Sequence, residues 1–237
     1  MGNTSQEQHA LLTDYDRHSA YSEALYTLFA NIRFQWTQEP AQSHSLLITT
    51  PAAYGDYPAL AANLAIVAAQ SGAHTILVDA DLRTPVMHKR FGLEQATGLS
   101  DLLADTSLTP EKISGALQAT FVPGLHVLSA GMPTEQGAAL LLTPRLTEVV
   151  HCLCQRTSEN GTGDIGDAGD AENAGRIVLF HSPPVLSGAD ASLIGALVDQ
   201  AVLAIIANRT TRAQAKQAQD QLQRAQVKLA GIVMVSI

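Results

Sequence analysis

The sequence predicts one α/β domain of three layers, a mostly parallel central sheet with helices on both faces. Three observations carry this expectation. Strand and helix patterns alternate along the chain. The strands are short apolar runs without period-two alternation. The length of 237 residues, 46% of them hydrophobic, suffices for a single large core. A strand without alternation has both faces buried, and a parallel sheet clothed in helices is the arrangement that buries both. Only 5% of residues are aromatic, so that core is built from Leu, Ile, Val and Ala.

Residues 1–18 read as a loose tail, which leaves the domain over 19–237. From Tyr21 to Phe34, Ala24, Leu25, Leu28, Phe29 and Ile32 form an apolar stripe at helical spacing, and Pro40 ends that segment. Leu46–Ile48 is a buried strand stopped by Pro51. Pro58 opens a helix to about Gln70, since a proline at the first helical position loses no hydrogen bond. Ser71-Gly72 ends it, and Thr75–Val78 forms a strand closing in Asp79. A helix starts near Gly98, another spans Pro110–Leu117, Leu125–Leu128 is a strand, and Leu140–Cys154 is one helix. Ile177–Phe180 and Ala201–Ile206 are strands, Thr211–Ala225 is a helix, and Gly231–Ile237 is the terminal strand.

The formal charge of -8 argues against a nucleic-acid backbone as partner. No apolar run approaches the ~18 residues of a membrane span, and the polar stretch Met1–Arg17 lacks the apolar core of a signal peptide. Cys152 and Cys154 are too close together to suggest a disulfide framework, so the expected location is cytoplasmic, with recruitment to the inner face of the membrane by a partner left open. Their spacing with His151 is only superficially metal-like, and burial of one thiol is the plainer expectation. The segment 158–175 holds five glycines and several acids. It reads as a mobile acidic surface loop, without a complete ion-coordinating pattern.

Several stretches together resemble the bacterial tyrosine kinases of capsule and exopolysaccharide synthesis, relatives of the MinD/ParA-like P-loop ATPases. The resemblance covers about residues 20–237. It rests on Val78-Asp79-Ala80-Asp81-Leu82-Arg83 with Pro85 and His88, and on Gly98-Leu99-Ser100-Asp101-Leu102-Leu103. Asn63-Leu64-Ala65, Ser182-Pro183-Pro184-Val185-Leu186, Asp190 and Asp199 follow in the expected order. It implies a P-loop NTPase-like fold, ATP and magnesium as ligands, and Asp79, Asp81 and Arg83 in the acidic segment that supports catalysis.

The departures fall where that family holds its ligand. Its phosphate loop reads Gly-x-Gly-Lys-Ser/Thr-Thr, whereas the matching positions here are Tyr54-Gly55-Asp56-Tyr57-Pro58-Ala59. A phosphate cradle needs successive backbone N–H groups, a lysine and a hydroxyl for magnesium. Pro58 has no N–H, and Asp56 brings negative charge. The family's strand-end aspartate is His181, which suits a transition metal with Asp79, Asp81 or His88 better than magnesium, although a structural histidine is the plainer reading. With their partners replaced, Asp79, Asp81, Arg83 and His181 are read as vestigial, capping loops or pairing with one another. Tyr54 and Tyr57 are expected to fill the vacated pocket.

The association helix keeps Glu23 but lacks the family's two arginines, and all five tyrosines lie at positions 15–57 rather than in a C-terminal tail. The expected function is therefore a catalytically inactive binding or regulatory component of polysaccharide synthesis, with no cofactor. The implied partners are a membrane chain-length regulator, an active kinase, a synthase subunit or a second copy. The alternatives are a divergent ATP-binding autokinase, and a binder of another nucleotide such as a cyclic dinucleotide through Arg83, Arg209 and Arg212.

Overall fold

The computed structural model describes residues 11–14, 18–36, 43–155 and 176–236. Its centre is a seven-stranded sheet. In chain order the strands are β1 (His44–Thr49), β2 (His74–Asp79), β3 (Leu117–Ala119), β4 (Leu125–Leu128), β5 (Arg176–His181), β6 (Gln200–Ile206) and β7 (Leu229–Val235). They lie in the order β3-β4-β2-β5-β1-β6-β7. Every neighbouring pair is parallel except β3–β4.

Parallel pairing explains the missing alternation. Leu46, Ile48, Leu77, Leu179 and Val202 pack on one face against helices α1 (Ala20–Phe34), α2 (Pro58–Gln70) and α3 (Met87–Arg90). Leu47, Val78, Val178, Phe180 and Leu203 pack on the other. That second layer holds α4 (Leu99–Ala104), α5 (Pro110–Gly115), α6 (Gly137–Leu141), α7 (Pro144–Cys154), α8 (Asp190–Gly195) and α9 (Arg212–Arg224). In α2 every residue from Leu60 to Ala69 is buried, and its alanines let it lie close to the sheet. By contrast α7 is one-sided, burying Leu146, Val149, Val150 and Leu153.

Four details differ from expectation. The helix expected over 140–154 is two, because Thr143 is extended before Pro144, whose ring and missing N–H cannot continue a helix. The helix expected to reach Leu117 stops at Gly115, and Leu117 begins the antiparallel edge strand β3. The terminal strand starts two residues earlier, at Leu229. Most of the tail expected at 1–18 lies outside the described residues, but Leu11 and Leu12 are buried and the Leu12 N–H donates to Asn63 Oδ1 at 2.8 Å. The acidic segment 158–175 also lies outside the described residues. Cys152 and Cys154 are free and each half-buried, so neither is the buried thiol that was expected. Among the described residues no helix is long and apolar enough to cross a membrane.

Candidate functional site

The strand order β2-β5-β1 brings three carboxyl ends together. Asp79 sits opposite His181 in the β2–β5 register, and His181 opposite Ile48 in β5–β1. The Ala80 N–H donates to the His181 carbonyl at 2.8 Å. Beyond His181, the Val185 and Leu186 N–H groups donate to the carbonyls of Thr50 and Pro51, tying the β5 exit to the loop between β1 and α2. Crevices at the carboxyl edge of such sheets are where α/β proteins bind ligands.

The two acids of β2 and its exit are occupied by backbone. Asp79 Oδ2 accepts from the N–H groups of Val86 and Met87, both at 2.9 Å, and so fixes the start of α3. Burial raises its carboxyl to about pKa 7, although those N–H donors pull the other way. Asp81 accepts from the Thr84 N–H at 2.9 Å and the Thr84 hydroxyl at 2.8 Å, closing a local turn. Arg83 does not pair with either acid as expected. Its guanidinium meets Asp190 at 3.3 Å, across the crevice on α8. Burial raises the Asp190 carboxyl, with Arg83 opposing.

The β1–α2 loop is held by side chains more than by backbone. Gly55 takes a left-handed φ of 54°, which favours glycine. The Tyr54 hydroxyl accepts from Gln214 Nε2 at 2.9 Å, which ties it to α9. The Tyr57 ring lies 5.6 Å from the His181 ring, and its hydroxyl is 3.5 Å from Asp81 Oδ2. Burial, then the charges of Asp81 and Asp79, raise this phenol well above its usual pKa, so it stays protonated. Only Tyr57 thus turns into the acidic end of the site.

The negative charge that Asp56 brings to the loop is met by an ion pair with Arg90 Nη2 at the end of α3. Arg90 carries no family signature in the sequence. The available hint is its place on the same short helix as the buried Met87, just before the buried Phe91. His181 is fully buried, and its pKa falls to about 4, chiefly through burial, with the Asp81 charge opposing and Arg90 adding a smaller push downward. A neutral imidazole could bind a transition metal. However, no group of three metal-ligating side chains comes together among the described residues, so the arrangement with Asp79, Asp81 and His88 is not formed. His88 is buried on α3.

Chemically, the loop offers an anion little. No lysine lies between Thr50 and Leu60, Pro58 has no N–H, and Tyr57 supplies no capping side-chain bond to α2. Arg209 and Arg212 stand exposed before and at the start of α9, while Arg83 is engaged by Asp190.

The parallel sheet, the loop and helix after β1 and the acids ending β2 give the fold of the MinD-like P-loop NTPases. The septum site-determining protein MinD of Pyrococcus horikoshii, solved with Mg-ADP, shares this fold with a TM-score of 0.60, at 17% identity over 81% of this chain and 70% of that one. The chimerical protein CapA2B2 matches at a TM-score of 0.75, with 24% identity over 94% of this chain and 88% of the other. No family model matches the sequence. The tyrosine-protein kinase YwqD of Bacillus subtilis, however, is 31% identical over 230 residues, covering 97% of this chain and 87% of that protein. The chain belongs to the bacterial tyrosine-protein kinase family of capsule and exopolysaccharide biosynthesis. It spans only 25% of the length of another relative, the putative tyrosine-protein kinase EpsB of Ralstonia solanacearum, at 28% identity.

Proposed function

We propose that this chain is a family member that does not transfer phosphoryl groups, and that it acts as a binding or regulatory component of a polysaccharide-synthesis system. The observation that carries this reading is the β1–α2 loop. Where its relatives' loop would wrap a triphosphate, Tyr57 faces Asp81 and His181, Asp56 binds Arg90, and Pro58 opens α2. The residues present do not fit a magnesium-bound triphosphate. They lack its lysine and metal-binding hydroxyl, and Asp79 and Asp81 already accept backbone hydrogen bonds. A hydrogen bond to a charged group contributes roughly 1.5–3 kcal/mol. Losing two such contacts weakens binding by more than about a hundredfold. On this reading the ligand is a protein of the synthesis complex, whether a membrane chain-length regulator, a kinase, a synthase subunit or a second copy.

One experiment separates this reading from a divergent autokinase, which the retained Asp79, Asp81 and Arg83–Asp190 pair favour. Purified protein is titrated with ATP and magnesium by calorimetry, then incubated with labelled ATP. The expected result is no micromolar binding and no label on the protein. Micromolar affinity together with labelled tyrosine sinks the proposal. Running cyclic dinucleotides in the same titration tests the remaining nucleotide alternative.

A further inference from the structure

The two edges of the sheet are built differently. At one end of the strand order, β3 is three residues long and antiparallel to its neighbour. At the other end, β7 runs for seven residues, Leu229–Val235, without a charge or a proline. Natural edge strands are commonly kept short, charged or interrupted, because a bare edge pairs with another chain. The register shift opposite Ala201 and Val202 falls before Gly231, so 231–235 is a regular strand.

The ladder fixes which groups face outward. The N–H and C=O of one strand residue point to the same side, and those of the next residue to the other. The Val235 carbonyl accepts from the Ala207 N–H at 2.8 Å and so turns toward β6. Val233 and Gly231 turn the same way, which leaves the backbone groups of Ile232 and Met234 facing outward. No strand pairs with that outer side among the described residues. Side chains follow the same period of two. Val233 and Val235 pack into the layer of α1, so Ile232 and Met234 stand on the opposite face, 50% and 68% exposed.

The charges that flank this edge are basic. Residues 200–237 carry five basic residues and one acid, in a chain of formal charge -8. Exposed Lys228 precedes β7, and exposed Arg209 lies in the loop that the Ala207–Val235 bond joins to the end of β7. Arg33, also exposed, lies in the last turn of α1 near Gln35, whose Nε2 donates to the Ala230 carbonyl at 3.2 Å. Asp199, before β6, is bound by Ser45 of β1. A second copy paired antiparallel would bring the Lys228 end of one strand to the Arg209 end of the other, a meeting of like charges. An acidic strand meets opposite charge at both ends.

We propose that β7 is a docking edge for an extended acidic peptide segment of a partner protein, which joins the sheet as an eighth strand. The segment's backbone pairs with the outward N–H and C=O groups of Ile232 and Met234, and its apolar side chains cover these two residues. Its carboxylates meet Lys228 and Arg209. No residue of the crevice between β1, β5 and β2 takes part, so the site stands whether or not ATP binds there.

Two synthetic heptapeptides test this, one alternating valine with glutamate and one alternating valine with lysine. Each is titrated into the isotope-labelled full chain and followed through backbone amide resonances. The Ile232 and Met234 amides are expected to shift saturably with the glutamate peptide, and the lysine peptide to bind at least about tenfold more weakly. Met234→Pro removes an outward donor where an edge strand tolerates proline, and is expected to abolish the shift at Ile232. Met234→Glu sets a like charge against the peptide and is expected to weaken binding by about tenfold, which decides the matter if the proline variant fails to fold. Unmoved Ile232 and Met234 signals at millimolar peptide overturn the proposal, and so does equal binding of the two peptides. Two other results overturn it by naming a different occupant. In sedimentation velocity without peptide, a wild-type dimer that Met234→Glu makes monomeric assigns the edge to a second copy. Co-sedimentation with phosphatidylserine vesicles that Met234→Glu abolishes, with the amides unmoved by peptide, assigns it to a membrane surface.

Discussion

Gly98→Ala is expected to destabilise the domain by about 3 kcal/mol or more, or to prevent folding, because overpacking against immovable backbone lies at the costly end of core substitutions. A Cβ at this position would stand 2.2 Å from the Gly131 nitrogen and 2.3 Å from the Ser129 carbonyl oxygen. Neither atom belongs to a side chain that could turn away. The contact is also tied by hydrogen bonds. Leu99 and Ser100 N–H groups donate to the carbonyls of Ser129 and Ala130 at 2.8 and 2.9 Å, so α4 cannot lift off the end of β4 without losing both. The Gly98 N–H donates to Asp101 Oδ2 at 2.9 Å, completing the turn. Gly115→Ala is the control, since a Cβ there meets nothing within 4 Å. It is expected to stay within about 0.5 kcal/mol of wild type. Urea unfolding of both variants checks the pair. A Gly98→Ala midpoint matching that of Gly115→Ala would mean the helix is not docked this closely.

That result bears on what was legible beforehand. Gly98-Leu99-Ser100-Asp101 stood out in the sequence only as a family-like string, and its reason is a backbone-to-backbone approach that no local pattern encodes. The strands and α2 were readable because apolar runs without alternation and a proline at a helix start each have one common explanation. The split at Thr143-Pro144 was readable too, and apolar spacing across it outweighed the proline in the prediction. Within the site, Asp79, Asp81, His181 and the 54–59 loop were located by order along the chain, and the structure places them at one sheet edge. Their pairings were not. Asp56 finds Arg90 across 34 residues, Arg83 finds Asp190 across 107, and Tyr54 finds Gln214 across 160. Ion pairs and hydrogen bonds of this range depend on how loops lie over the sheet, which residue type and spacing leave open.

His181 and Asp79 are expected to give the domain opposing pH dependences, visible when either is replaced. Buried His181 titrates at about 4 instead of 6.5, so between those values the unfolded chain binds a proton that the folded chain refuses. Its contribution to stability is therefore lost as pH falls from 6.5 toward 4. Buried Asp79 titrates at about 7 instead of 3.8, so over that range the folded chain holds a proton that the unfolded chain has released. Its contribution is lost as pH rises from 3.8 toward 7. Across the shared window the two slopes oppose each other, and the wild-type stability changes less than either group would dictate alone. His181→Asn removes the first slope. Relative to wild type it should gain roughly 2–3 kcal/mol as pH is lowered from 7.5 to 4.5, at about 1.4 kcal/mol per pKa unit. Asp79→Asn removes the second slope, and should gain about 3 kcal/mol relative to wild type as pH is raised across the same range. The asparagine must still accept from Val86 and Met87, and its amide faces the Asp81 N–H, which adds a cost at every pH without changing the slope. Urea midpoints at pH 4.5, 5.5, 6.5 and 7.5 for the three proteins provide the comparison. If the difference between His181→Asn and wild type is constant over that range, the imidazole is not held neutral by the fold.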